Sequence, residues 1–71
     1  MSEPMFGGQF ADVDVQLSGN DGNAFAIMGS VVRALKANGA TEDQIAEYHE
    51  ASMSGDYDNL LSVACRTVNV L

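Results

Sequence analysis

The sequence predicts a small α+β domain of order β-α-α-α-β, with two terminal strands packed on a three-helix layer. Three observations carry that expectation. Apolar and polar residues alternate strictly near both ends, in DVDVQL (12–17) and RTVNVL (66–71). Alternation of period two marks a half-buried strand. Between them, residues 23–38 repeat apolar side chains at helical spacing. Two helix-start signatures follow, at Thr41 and at Asp56.

Taken in order, residues 1–11 read as a flexible arm, because Pro4 and the pair Gly7-Gly8 interrupt regular structure. Met5, Phe6 and Phe10 are apolar, so the arm either lies across the protein's own groove or reaches a partner. In the first strand, Val13, Val15 and Leu17 face inward and Asp12, Asp14 and Gln16 outward. Ser18–Gly22 turns the chain, with Asn20 or Asp21 placed to cap the next helix. Its glycines match neither GxGxxG nor GxxxxGK[ST], and no lysine follows, so a phosphate loop is not expected. Nor do Asp12 and Asp14 continue into a calcium loop, since Leu17 stands where glycine is needed.

The long helix offers two apolar rows. Phe25, Met28, Val32 and Leu35 form one, and Ala24, Ile27, Val31 and Ala34 the other. Rows one residue apart lie about 100° apart, which gives a broad buried face. The remaining strip holds Ser30, Arg33, Lys36 and Ala37, with Ala26 and Gly29 above them. A helical glycine costs roughly 1 kcal/mol relative to alanine, so close approach by another backbone is expected at Gly29. Asn38-Gly39 ends the helix, glycine being free to turn left-handed.

Thr41-Glu42-Asp43-Gln44 is a capping box. The second helix, 42–54, is expected to bury Ile45, Tyr48, Ser52 and Met53, with His49 packed beside that stripe. Gly55 then closes it, and Asp56 caps a third helix whose inward row is Tyr57, Leu60, Leu61 and Ala64. Cys65 reads as a small buried hydrophobe. Val68 and Val70 point inward from the last strand. Residues 12–71 therefore form one compact domain.

A chain of 71 residues sits where one core barely offsets the entropy of ordering it. One cysteine forbids an internal disulfide, and one histidine beside it leaves too few soft ligands for structural zinc. Oligomerisation is the staple that remains, a homodimer above all. Ten acids against Arg33, Lys36 and Arg66 argue against a nucleic-acid surface, which needs clustered cations. No stretch approaches the roughly 20 apolar residues of a membrane span. MSEPMFGGQF lacks a basic, apolar leader, so a reduced, cytoplasmic protein is expected.

GNDGNAFAIMGSVVRALKANGAT, followed by SGDYDNLL, resembles a family of small uncharacterised proteins found in phages and bacterial mobile elements. The likeness runs from Val13 to Val70. It implies provenance, a phage origin in a host cytoplasm, and no activity.

No nucleophile–base pair, metal cluster or cofactor motif is visible, and no enzyme is expected. The leading expectation is an acidic interaction protein that binds and modulates a host protein, with Met5, Phe6, Phe10, Ala26, Gly29 and Ser30 as its contacts. The alternative is an oligomeric small-molecule or nucleotide binder whose Arg33, Lys36 or Arg66 meets an anion at a subunit interface.

Overall fold

A computed structural model describes residues 4–16 and 24–71. Among these, a short 3-10 turn (Met5–Gly8) precedes strand β1 (Asp14–Val15), helices α1 (Ala24–Ala37), α2 (Glu42–Ser52) and α3 (Tyr57–Thr67), and strand β2 (Asn69–Val70). The β-α-α-α-β order is that of the sequence. The strands pair in parallel, Asp14 opposite Asn69 and Val15 opposite Val70. Backbone bonds from Asn69 N–H to the Val13 carbonyl (2.8 Å) and from Leu71 N–H to the Val15 carbonyl (2.9 Å) hold them. The Asn69 amide also donates to the Asp14 carboxylate at 2.8 Å. The turn expected at Ser18–Gly22, its caps and Leu17 lie outside the described residues.

Local chemistry sets the helix limits. Gly39 turns left-handed (φ 88°) after α1. Ala40 N–H then reaches the Leu35 carbonyl, and Gly39 N–H that of Lys36, the pair of bonds that closes a Schellman motif. At α2 the capping box is reciprocal: Gln44 N–H donates to Thr41 Oγ1, and Thr41 N–H to Gln44 Oε1. Asp56 caps α3 by accepting from Asn59 N–H at 3.0 Å. Asn59 in turn donates to the Ala51 carbonyl, joining the end of α2 to the start of α3. A Cβ on Gly55 would stand 2.9 Å from that of Asn59, so the link needs glycine there.

The core lies where α1 and α3 meet the strand pair, with α2 packed on both helices. Its α1 contribution is Ile27, Met28, Val31 and Leu35, a narrower face than the two rows predict. Phe25 falls outside it and is 75% exposed. In α2, Tyr48 and Ser52 are buried as expected, whereas Ile45 is only half-buried and Met53 is exposed. In α3 the inward row is Leu60, Val63, Ala64 and Thr67. Thr67 Oγ1 donates back to the Val63 carbonyl and Val68 N–H to that of Ala64, so the helix runs to Thr67. The strand expected from Arg66 is thus shorter, and Arg66 sits in the last helical turn, where a cation suits the dipole. The same register turns Cys65 outward, correcting its buried placement.

The larger correction concerns the expected arm. Phe10 is 2% exposed and belongs to the core, with Met5 and Phe6 packed against it. The Phe6 and Phe10 rings meet edge to face, with centroids 5.8 Å apart. Phe6, Gly7 and Gly8 are all left-handed, at φ 55°, 63° and 83°. Two glycines adopt that conformation freely, while Phe6 holds it under strain. Bonds from Gln9 N–H to the Phe6 carbonyl and from Gln44 to the Gln9 side chain keep the segment in place. From Met5 onward this is a part of the fold.

Candidate interaction surface

Helices α1 and α2 form a hairpin through Asn38–Thr41, and a groove runs between their outer edges. At its closed end, Val32, Ile45 and Ala46 floor a hollow of 420 Å³, rimmed by Lys36, Glu42, His49 and Glu50. At its open end, Phe25, Met53 and Tyr57 line a second hollow of 220 Å³ with Asp56 and Ser52. Three of the large exposed hydrophobic side chains thus gather in one place. Between the hollows Gly29 is exposed, and a Cβ there would meet nothing within 4 Å. The close approach expected at Gly29 is not made by any part of this chain.

The predicted contacts divide. Gly29 lies on this groove, while Ala26 and Ser30 are half-buried. Phe10 is withdrawn into the core and cannot touch a partner without unfolding, which corrects its assignment. Met5 and Phe6 are half-buried against it. The three cations are not brought together in the single chain. Lys36 lines the groove, whereas Arg66 lines another hollow, of 310 Å³, with Cys65 and Asn69. Arg33 is exposed and lines none of these three hollows. His49 is exposed on the groove, which corrects the packed histidine expected there.

Sequence reasoning missed Phe25 and Met53. A signal was available: two full apolar rows on one helix make a face too wide for the few elements of a 71-residue chain to cover.

Charge is divided along the chain. Helix α1 holds Arg33 and Lys36 and no acid, whereas α2 holds Glu42, Asp43, Glu47 and Glu50, all exposed. Asp56 and Asp58 add two more exposed acids at the start of α3. Among the described residues, no group of three His, Cys, Asp or Glu side chains is placed to hold a metal ion. No helix of the described residues is long and apolar enough to cross a membrane.

Beneath the groove, Tyr48 and Ser52 place two buried hydroxyls one turn apart, neither with a hydrogen bond of ordinary geometry. Burial raises the Tyr48 phenol above its ordinary value of 10.0, the Ser52 hydroxyl acting weakly in the other direction. A buried hydroxyl without a partner costs about 1–3 kcal/mol. Tyr48→Phe should therefore leave the protein as stable or stabilise it, by up to about 2 kcal/mol in urea melts. The pH dependence follows from the same burial. With its folded pKa above the unfolded one, Tyr48 contributes fully below pH 10.0 and loses that contribution as pH rises through the folded value. The alkaline fall in stability should accordingly be smaller in Tyr48→Phe than in the parent. Destabilisation of more than about 1 kcal/mol at neutral pH would instead show that the hydroxyl is bonded.

No protein-family model, curated protein or solved structure matches the chain.

Proposed function

We propose that this is a small acidic interaction protein of phage origin that binds and modulates a protein of its bacterial host, rather than an enzyme. The observation that carries the reading is the acidic side of α2, continued by the start of α3. Six exposed carboxylates occupy the 17 residues from Glu42 to Asp58, which contain no lysine or arginine. Such a surface attracts a basic partner, speeds encounter and loses affinity with salt. The phage origin rests on the DGNAF and SGDYD segments of the sequence.

The test is capture of host proteins by the tagged chain at low and high salt, beside the variant Asp43→Asn/Glu47→Lys. Both residues are exposed and neither lines the groove, so the fold and the groove should survive the change. A genuine partner should bind the parent, weaken as salt rises, and bind the variant at least about tenfold less, since like charges across an interface cost several kcal/mol. A partner held equally by both proteins would remove the acidic face from the interaction.

A further inference from the structure

The groove between α1 and α2 raises a separate question, because an acidic partner-binding face does not explain it. On α1, Phe25, Gly29, Val32 and Lys36 follow one another at intervals of four, three and four residues. On α2, Ile45, His49 and Met53 keep a similar beat. That spacing is the one by which a helix pair presents a seam to another pair. We propose that a second copy of this chain docks on the groove about a two-fold axis, so that the two hairpins form an antiparallel four-helix bundle.

Complementarity of shape supports a copy as the occupant. Gly29 is the exposed low point of the α1 wall, with open space above it. A facing helix can approach closely there, which accounts for a glycine that nothing within the chain requires. Phe25 projects four residues before Gly29 and Val32 lies three after it. At a rise of 1.5 Å per residue these offsets are about 6 and 4.5 Å, nearly equal and opposite. Two antiparallel copies crossing at Gly29 therefore set each Phe25 over the other copy's 420 Å³ hollow, floored by Val32 and Ile45. One patch supplies both plug and socket, as a two-fold interface requires.

Charge points the same way. The chain carries a net charge of −7, so two copies repel unless their least acidic surfaces meet. Helix α1, with two cations and no acid, is such a surface. Antiparallel docking also carries Lys36 of each copy toward the open end of the other groove, where Asp56 lies. The strand pair competes poorly as an alternative interface, because each strand is two residues long and offers little edge to extend.

Sedimentation equilibrium of the whole chain tests the proposal. A hairpin face about 20 Å long falls below the roughly 1,200 Å² of a standard interface, so a reversible dimer with Kd on the order of 10 µM is expected. Phe25→Glu should weaken it more than about tenfold, as the loss of a central aromatic anchor does. Its helical signal and its melt in dilute solution should not change, because Phe25 is 75% exposed in the single chain. Gly29→Leu provides the second arm. It places a good helix former where space is open, so the dilute melt should hold or rise while the dimer is lost. A parent chain that remains monomeric at roughly ten times that Kd overturns the proposal. So does a dimer whose mass neither substitution changes, or a monomer that takes up a different protein on this groove.

Discussion

Phe10→Ala should leave the protein largely unfolded or close to it at 25 °C. The side chain is 2% exposed and joins the N-terminal segment to the core. Removing a buried phenyl ring costs about 3–5 kcal/mol, the lost transfer energy plus the cavity left behind. A domain of this size rarely has more than about 3–5 kcal/mol to lose. The edge-to-face contact with Phe6 is lost as well, and with it the partner of a strained left-handed residue. Urea melts followed by circular dichroism would give the loss directly. A cost below about 1 kcal/mol would mean that the ring is not in the core, and that residues 5–10 are a free arm after all.

Ending the chain at Val68 should have an effect nearly as large. The change removes two backbone hydrogen bonds, the Asn69–Asp14 bond and the half-buried Val70 side chain. At about 1 kcal/mol for each hydrogen bond and about 1 for a partly buried valine, the loss comes to roughly 4 kcal/mol. Val15, which is 5% exposed, would also lose its cover on one side. The near-ultraviolet signal should fall more than the far-ultraviolet one, since the helices have their own caps and ladders. A shortened chain with an unchanged urea midpoint would show that the strand pair contributes little.

The order of elements was legible because each is marked by local chemistry. Thr41 with Gln44, Asp56 and Gly39 define helix ends through bonds that span five residues or fewer, and the structure shows those bonds. The parallel sense of the strands follows from three helices that alternate in direction. What the sequence did not disclose depends on the neighbours a side chain meets. Phe25 and Met28 are both apolar and three residues apart, yet one is exposed and the other 4% exposed. Periodicity gives the angle of a row and says nothing of whether another element lies there. Phe10 fails in the opposite sense. It follows Pro4 and two glycines, which break local structure, and only its long-range contact with α3 and the core shows it to be inside. The surface was readable in its charge, since acids and bases are separated along the chain, and unreadable in its groove, which exists only once α1 and α2 are side by side.

The pairing of Asp14 with Asn69 joins residues 55 apart, and this bears on the order of folding. Closing a flexible loop of that length costs about 3–4 kcal/mol from the length-dependent term alone. Two pairs of strand residues return little of it by themselves. The helical hairpins, whose contacts are local, can form first and shorten the effective distance between the strands. The sheet is then the clasp that closes last, and transient opening of the native protein should begin there. The amide protons of Asn69 and Leu71, both of which donate to β1 or its flank, should exchange with solvent sooner than those in the middle of α1 and α3.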